Sequence, residues 1–521
     1  MSFLLGTPKC VAAMRVQKQA APRRPRIQNN PFATTADRVG AESVQSGTFL
    51  VLAQALRFIL QTGSVMILAR LLSPEDYGIY GMVVAMAGFL ALFGDASLSM
   101  ATIQREVITS GQVSALFWLN TGLGLVLTII TAALAPALAA FYREPRLVLI
   151  VIIWAVGFLF DGLAVQHRAL LQRNMRFGTL VAIDLLAFFA GATLAITMAL
   201  HGSGYWALVL MSLSNSVIRA FAVWLTLRWI PGSPCWGSET RSMIRYGSIA
   251  TLNNIVDYVS SNIGRVFLGR FYGAVPLGLY GRASQLVNLP TTQMHSTLFV
   301  VGLSGLSRIQ NDLRRLRKSF LTGYSALLSL TLPSIVFSIL FADDLVRIAL
   351  GPQWIDAVPV FRLFGPAVFV FAITDPLGWL LTATGRAARK LRIAILVAPV
   401  VTVATISGLY YGLAGVALAY SVAMLILSLP IITLSIHQTG IAFSDLRSAL
   451  KAPICAGFVA AVVAWPFSPS GFSVAVPATH LIIGFAVYSS AYMAILLMHS
   501  GQRVICLDFA SHLVSRVRPR P

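Results

Sequence analysis

The sequence predicts an all-α integral membrane protein with about fourteen transmembrane helices, in two pseudo-symmetric six-helix lobes plus two C-terminal helices around a central cavity. The first observation is composition: of the 521 residues, 57% are hydrophobic and only 11% are charged, and the mean hydropathy is +0.78. Soluble proteins of this length are less apolar. The second is a succession of apolar runs of membrane-spanning length. The third is an internal repeat.

Each apolar run is taken as one helix, because a hydrocarbon core of ~30 Å needs ~20 residues of helix. The run at 280–303 is the most polar of them, since it is rich in Thr, Ser and Gln. We predict fourteen spans, at 46–69, 78–97, 113–140, 147–166, 178–200, 204–228, 246–268, 280–303, 319–341, 357–382, 392–410, 412–436, 450–467 and 476–498.

The basic residues support an even number of spans with both termini in the cytoplasm. When the gaps are numbered alternately from an inside N-terminus, the inside gaps hold clusters of Arg and Lys, such as Arg314 to Lys318. One outside gap is acidic, with Asp343, Asp344 and Asp356. This is the positive-inside pattern. It accounts for the net charge of +21 without nucleic acid as a partner.

A segment near the start of the chain recurs 200 residues later without a gap. Leu68, Arg70, Gly78, Tyr80 and Gly81 recur as Leu268, Arg270, Gly278, Tyr280 and Gly281. An internal repeat of this kind predicts two lobes of like construction. We therefore predict two lobes: an N-lobe at 45–230 with helices 1–6 and a C-lobe at 246–440 with helices 7–12, joined by a cytoplasmic linker at 231–245. Helices 13 and 14 follow at 441–500. The remaining residues are predicted to form a disordered basic cytoplasmic tail at 1–44 and a basic cytoplasmic tail at 501–521.

The seventh predicted span carries one polar stripe, which consists of Asn253, Asn254, Asp257, Tyr258, Ser261, Asn262 and Arg265. Spacings of four residues place such side chains on one helix face. Lipid cannot solvate them, so the stripe is expected to face protein or water. The repeat offset pairs Gln54 with Asn254, Arg57 with Asp257 and Gln61 with Ser261. We expect Arg57 and Asp257 to face the cavity, where their opposite charges could pair.

Several short motifs, in order, resemble the polysaccharide transporter (lipopolysaccharide and exopolysaccharide flippase-like) family of the multidrug/oligosaccharidyl-lipid/polysaccharide (MOP) exporter superfamily. They are Ala69 to Gly78, Gln112 to Asn120, His167 to Phe177, Gly269 to Arg282, Leu306 to Asp312 and Gly351 to Trp354. The resemblance implies fourteen helices around a cavity that opens alternately to either side of a bacterial inner membrane. The implied cargo is a polyprenyl-pyrophosphate-linked oligosaccharide that crosses to the periplasmic leaflet, for exopolysaccharide, capsule or lipopolysaccharide synthesis.

Candidate residues for binding this cargo come from the polar stripes. Guanidinium groups bind phosphate oxygens in pairs, which suggests four arginines for the pyrophosphate: Arg57, Arg265, Arg270 and Arg70. Arg70 and Arg270 lie at helix ends, where anchoring to the interface is the alternative. The candidates for the sugars or the headgroup are Gln54, Gln61, Asn253, Asn254, Tyr258 and Asn262.

Two acidic residues inside the predicted spans, Asp257 and Asp184, are candidates for ion coupling, and Asp257 also for the cavity. The alternative is structural pairing with arginines in other spans, such as Arg219 and Arg362. The sequence leaves proton coupling, sodium coupling and uncoupled transport open.

No feature of the sequence indicates an enzyme. The outside gaps are too short to fold into a catalytic domain, and there is no P-loop. The four cysteines and the histidines show no metal-ligand spacing, so neither metal nor cofactor is expected. The expected partners are the lipid-linked oligosaccharide, membrane lipids and polysaccharide polymerase or export machinery. The rival hypotheses are a drug or cation antiporter of the same superfamily, a membrane glycosyltransferase or polymerase, and an assembly scaffold.

Overall fold

The computed structural model describes residues 42–95, 98–104, 108–234, 255, 258–259, 261–309, 312–468 and 477–498. Thirteen long helices and two short ones have complete bounds in this part of the chain, and residues 261–272 form a further helical segment, α8. The helices are α1 (Glu42–Leu71), α2 (Pro74–Asp95), α3 (Leu98–Gln104), α4 (Ser110–Tyr142), α5 (Leu147–Arg173), α6 (Phe177–Leu200), α7 (Trp206–Leu227), α9 (Ala274–Arg308), α10 (Leu313–Leu340), α11 (Ala342–Ala349), α12 (Val358–Ala383), α13 (Ala387–Gly408), α14 (Gly412–Ile436), α15 (Phe443–Ala464) and α16 (Pro477–Met498).

The predicted fold class is confirmed. Among the described residues, ten segments are long and apolar enough to cross a membrane, and the segment Ala388–Ile436 contains both α13 and α14. The protein is therefore a multi-pass membrane protein. Thirteen predicted spans coincide with long helices to within several residues. The remaining span, 246–268, lies partly outside the described residues.

Five short elements of the described residues were not predicted: α3, α11 and the 3-10 helices at Pro352–Ala357, Leu409–Tyr411 and Trp465–Phe467. They are too short to cross a membrane, so a search for apolar runs of ~20 residues passes over them.

The two copies of the repeat have the same local structure. In the first, α1 ends at Leu71 and α2 begins at Pro74; in the second, α8 ends at residue 272 and α9 begins at Ala274. The repeated glycines, Gly78 and Gly278, are buried at equivalent places in the following helices. A Cβ at Gly78 would lie 1.8 Å from the carbonyl oxygen of Ala274, so glycine is required there by close backbone approach.

The helices pack as two compact units. The first comprises Met1–Val259 and Gly269–Ala274. Its most extensive packing joins α4 to α5, where a Cβ at Gly124 would lie 2.6 Å from the carbonyl oxygen of Phe158 and a Cβ at Gly162 would lie 2.7 Å from that of Asn120. Small residues allow this close approach, which is typical of helix packing in membranes.

The second unit comprises Ser260–Leu268 and Val275–Pro521. Within it, α12 and α13 pack on α14, and α10 packs on α12 and α15. The side chain of Phe341 is fully buried against Gly484 of α16, where any Cβ would overlap its ring. This contact fixes α16 against the end of α10. The boundaries that the sequence predicted for the lobes, the linker and the tails stay predictions.

Candidate functional site

A cluster of charged side chains lies inside the membrane-spanning helices of the first unit. Arg168 of α5 contacts Asp184 of α6 with both guanidinium nitrogens, at 2.6 and 3.2 Å. Arg219 of α7 lies 3.3 Å from the same carboxylate and 3.9 Å from Asp161 of α5. The shorter contact, through Nε, lacks hydrogen-bond geometry. Two carboxylates are thus paired with two guanidinium groups across three helices.

A third arginine approaches this cluster from α1. Arg57 is exposed and lies close enough to Asp184 to interact with it electrostatically. With both carboxylates ionised, Arg57, Arg168 and Arg219 carry three positive charges against two negative ones. We call these three arginines, together with Asp161 and Asp184, the arginine cluster. Its net charge of +1 suits it to a further anion, because an unmatched guanidinium within a membrane is costly.

Helix periodicity explains why these side chains meet. Asp161 and Arg168 are seven residues apart on α5, which is two helical turns and places both on one face. Ser216 and Arg219 are three apart on α7, and the Ser216 hydroxyl donates to Asp161. The predicted span ends at residue 166, whereas the helix continues to Arg173, so Arg168 lies on α5 beyond the predicted end of the span. Its predicted position on the cytoplasmic side stays a prediction.

A smaller polar group in the second unit includes two predicted site residues. Arg265 donates to the Asn262 side chain at 3.0 Å and lies 3.4 Å from the Ser284 hydroxyl of α9. Its Nε is buried and has no hydrogen-bond partner among the described residues. Tyr280 and Tyr420 lie near enough to interact with its charge. Arg265 is therefore a partly satisfied cation in a polar and aromatic setting.

Tyr258 and Arg270 were predicted to bind cargo, and both make local contacts in the first unit. The Tyr258 hydroxyl donates to the carbonyl oxygen of Val84 at 2.7 Å. A Cβ at Gly88 would lie 2.2 Å from that hydroxyl, so Tyr258 packs directly on α2. The Arg270 guanidinium lies 5.7 Å from the ring centre of Phe141. Such a cation–π contact accords with anchoring at a helix end.

The structure brings the predicted site residues into separate groups. Arg57 and Asp184 meet in the arginine cluster, Asn262 and Arg265 in the second unit, and Gln61 is half-buried on α1. Asn253, Asn254 and Asp257 lie outside the described residues, as does the side chain of Gln54. The pairing of Arg57 with Asp257 therefore stays a prediction.

A histidine–aspartate pair in the second unit was not predicted. Nδ1 of His295 on α9 lies 2.8 Å from Oδ2 of Asp375 on α12. The imidazole side chain is only 4% exposed, and the carboxylate is 30% exposed. The His295 ring stacks on Phe371 and meets the ring of Trp379 edge to face. No local sequence pattern predicts this pair, because the two residues are 80 positions apart.

An apolar groove of about 480 Å³ also lies in the second unit, between α9, α10 and α16. Among the residues that line it are Pro290, Pro333, Phe337, Phe485, Tyr488 and Met493. Its surface offers few polar groups and several aromatic rings. It has the size and chemistry for a hydrocarbon chain.

An ion-pair network joins three helix connections of the first unit. Arg146, after α4, contacts Glu144 at 2.7 Å and Glu75 of α2 at 2.7 Å. Its guanidinium also lies 5.9 Å from the ring centre of Tyr205, before α7. The hydrogen bond from Arg146 lowers the pKa of Glu144, and the hydrogen bonds to Glu144 and Glu75 raise the pKa of Arg146. Both groups are thus charged across the neutral range.

A comparison with protein families shows which family the chain belongs to. The family model described as "Polysaccharide biosynthesis protein" matches residues 67–359, which is more than half of the chain. The chain belongs to this polysaccharide biosynthesis protein family. The matched range contains the arginine cluster except Arg57, and both copies of the repeat. The family resemblance predicted from the short motifs is confirmed.

Individual family relatives are distant. An uncharacterized membrane protein in the cps region of Klebsiella pneumoniae is 24% identical over 74% of this chain and 80% of its own length. The teichuronic acid biosynthesis protein TuaB of Bacillus subtilis is 26% identical over 57% of this chain and 62% of its own. The lipopolysaccharide biosynthesis protein WzxC of Escherichia coli is 26% identical over 61% and 65%. The chain thus spans somewhat less than two thirds of the last two.

Proteins of known structure share the fold of this chain. A lipid II flippase, MurJ, in an inward closed conformation has a TM-score of 0.70 at 16% identity, covering 86% of this chain and 98% of MurJ. An inward-facing MATE-family multidrug transporter of the MOP superfamily has a TM-score of 0.59 at 13% identity, covering 75% and 95%. These likenesses establish the MOP-type fold.

Proposed function

We propose that this protein moves a polyprenyl-pyrophosphate-linked oligosaccharide from the cytoplasmic to the periplasmic leaflet of a bacterial inner membrane. The product would supply synthesis of an exopolysaccharide, capsule or lipopolysaccharide. The observation that carries the proposal is the family match over residues 67–359. The names of the relatives support it, since both TuaB and WzxC are described as biosynthesis proteins for cell-surface polymers.

The charge of the arginine cluster supports an anionic cargo. A pyrophosphate loses most of its hydration when it enters a membrane, and guanidinium groups replace water through paired hydrogen bonds. Arg57 is exposed and is the member of the cluster best placed to reach a ligand. Arg168 is committed to Asp184 by two contacts. We assign Arg57 to phosphate binding, and Arg168 and Asp184 to positioning the helices around it.

The groove between α9, α10 and α16 supports a cargo with a long apolar tail. Its volume of about 480 Å³ would shelter several isoprene units, and its aromatic side chains suit an unsaturated hydrocarbon. The remainder of such a tail would stay in the bilayer, so the groove need not enclose it.

The rival functions lack a supporting observation of this kind. A drug or cation antiporter shares the fold, but a cluster with an excess of arginine repels cations. A glycosyltransferase or polymerase would require acceptor and donor sites held by sizeable extramembrane segments. A scaffold role in polysaccharide assembly would leave the positive charge inside the helices unexplained.

The proposal includes the surroundings of the protein. We infer that both termini are cytoplasmic, from the distribution of Arg and Lys. Membrane lipids are contacts of every span, and a polysaccharide polymerase or export machinery would take the translocated cargo. The protein would be a transporter without enzymatic activity, and it would work by alternating access.

Deletion of the gene in its host tests the proposal. We expect surface polymer to disappear and the polyprenyl-pyrophosphate oligosaccharide to accumulate on the cytoplasmic face, where mass spectrometry of extracted lipids identifies it. The wild-type gene should restore the polymer and clear the accumulated lipid. Intact polymer with no accumulated lipid, in a strain without another member of the family, would overturn the proposal.

A further inference from the structure

The pair formed by His295 and Asp375 is a titratable group inside the helices of the second unit that the proposed function does not use. Nδ1 of the imidazole lies 2.8 Å from the carboxylate. Pro376 directly follows Asp375 within α12, and Pro290 lies in α9 five residues before His295. Proline lacks the N–H of the helix ladder. Each helix can therefore bend close to the pair.

The pair formed by His295 and Asp375 has one buried side and one exposed side. Nε2 is buried and has no hydrogen-bond partner among the described residues, and the same is true of the Thr291 hydroxyl. Thr291 precedes His295 by one helical turn, so both face the same way. Phe371 and Trp379 cover the imidazole, whereas Asp375 is 30% exposed. The pair thus has a dry side, and a side through which a proton could arrive.

Among the described residues, α10 and α13 each bring a polar or charged side chain to the stretch of α12 that holds Asp375. On α10, the Tyr324 hydroxyl donates to the carbonyl oxygen of Ile373 at 3.0 Å. On α13, Cε of Lys390 lies 3.8 Å from the position of a Cβ at Gly378, one helical turn after Asp375.

We propose that His295 and Asp375 form the proton-carrying site that couples transport to the proton gradient; this rests on the proposed function. In one state, neutral His295 donates its Nδ1 hydrogen to the Asp375 carboxylate, and the pair has a charge of −1. A proton from water then binds to the Asp375 carboxylate from its exposed side, and the pair becomes a neutral imidazole and a neutral carboxylic acid with no net charge. A change of one charge within the membrane favours different helix arrangements in the two states.

A proton fits this site better than a sodium ion. Hard cations take several oxygen ligands. Here one carboxylate oxygen is engaged by the imidazole, which leaves a single carboxylate oxygen of the pair for a cation. The pair of His295 and Asp375 is also more available to a proton than Asp184 is. The Asp184 carboxylate is held by Arg168 and lies beside Arg219.

The test uses purified full-length protein in liposomes with the polyprenyl-pyrophosphate lipid extracted from the deletion strain. An impermeant pyrophosphatase reports how much of this lipid is in the outer leaflet. One proton per cycle converts a gradient of one pH unit into enrichment of up to about tenfold. We expect the lipid to be enriched in the leaflet that faces the acidic side, because in the cell the proton enters as the cargo leaves.

His295→Gln and Asp375→Asn should keep movement without a gradient and lose the enrichment. His437→Gln and Asp356→Asn, which make the same changes at exposed positions, should retain it. Enrichment that persists in both pair variants would overturn the proton site, as would enrichment driven by sodium alone. Wild-type protein that moves no lipid in the absence of a gradient would overturn the proposed function, and the coupling with it. Thermal unfolding of each variant establishes that it is folded.

Discussion

The Arg168 guanidinium contacts both carboxylate oxygens of Asp184, at 2.6 and 3.2 Å, and this joins α5 to α6 within the membrane. Arg219 of α7 approaches the same carboxylate at 3.3 Å. A single acidic side chain therefore balances two guanidinium groups, and a third, that of Arg57, lies within electrostatic range. The stability of the first unit depends on this balance, and under the proposed function its affinity for an anionic cargo depends on it as well.

Asp184→Asn should destabilise the protein. The substitution leaves Arg168 and Arg219 without their shared carboxylate, and loss of one partner of a buried pair costs about 3–5 kcal/mol. Because these side chains are partly solvated, we expect the free energy of unfolding to fall by about 1–3 kcal/mol. The loss would be measured as a lower unfolding temperature in detergent. Arg168→Gln added to Asp184→Asn should restore part of the loss. An additive loss in the double variant would show that the two residues are not coupled.

Arg57→Ala should abolish export of the polymer while the protein still inserts and folds. Its guanidinium is the exposed positive charge of the arginine cluster, and we assign it to the pyrophosphate. Surface polymer and the amount of protein in the membrane fraction are the measurements. Arg447→Ala, at an exposed arginine of α15, is the matched control and should export normally. Normal export by Arg57→Ala would remove this residue from the binding site.

Two glycines of α4 should respond in opposite ways to the same substitution. A Cβ at Gly124 would lie 2.6 Å from the carbonyl oxygen of Phe158, whereas nothing lies within 4 Å of one at Gly122. Gly124→Ala should therefore lower the free energy of unfolding by about 1–3 kcal/mol, because the added methyl group overpacks the contact between α4 and α5. Gly122→Ala should be neutral or stabilise by up to about 1 kcal/mol, since alanine is the better helix former. Equal unfolding temperatures for the two variants would contradict the packing of α4 on α5.

Glu144 should make stability depend on pH in the acidic range. The hydrogen bond from Arg146 holds the pKa of Glu144 below its ordinary value. A carboxylate with a depressed folded-state pKa stabilises the protein above its unfolded-state pKa, and this stability is lost as the pH falls through the folded-state pKa. Because Arg146 is 44% exposed, the contribution is about 0.5 kcal/mol.

Glu144→Gln should accordingly lower the unfolding temperature slightly at pH 7, and the difference from the wild type should vanish in acid. Thermal unfolding between pH 3 and 7, compared with Asp356→Asn as an exposed control, measures the effect. A difference that grows as the pH falls would contradict the assignment.

The sequence was sufficient to predict the helices and the repeat, because both depend on local patterns. An apolar run of membrane length can form little else but a helix in lipid, and the two copies around Gly78 and Gly278 share one break between helices. Helix ends were less certain. The apolar run before His167 stops short of the residues that complete α5, and so the predicted span ended before Arg168.

The residue pairs that make up the site could not be predicted from local sequence patterns. Arg168 and Asp184 are 16 residues apart on different helices, and His295 and Asp375 are 80 apart. Their meeting depends on which helix faces pack together, and no spacing within a single helix encodes this. Arg219 and Arg362 were named as possible partners for the aspartates in the spans because they also lie within spans. The contact of Arg219 with Asp184 agrees with this.

The most direct test of the central claim is leaflet movement by the purified protein alone. Liposomes would contain the protein and the polyprenyl-pyrophosphate oligosaccharide from the deletion strain, at equal pH on both sides, with an impermeant pyrophosphatase added outside. We predict that nearly all of the lipid is cleaved in the presence of wild-type protein, whereas Arg57→Ala leaves the inner leaflet protected. If half of the lipid stays protected with wild-type protein, as in liposomes without protein, then the protein is not a flippase for this cargo.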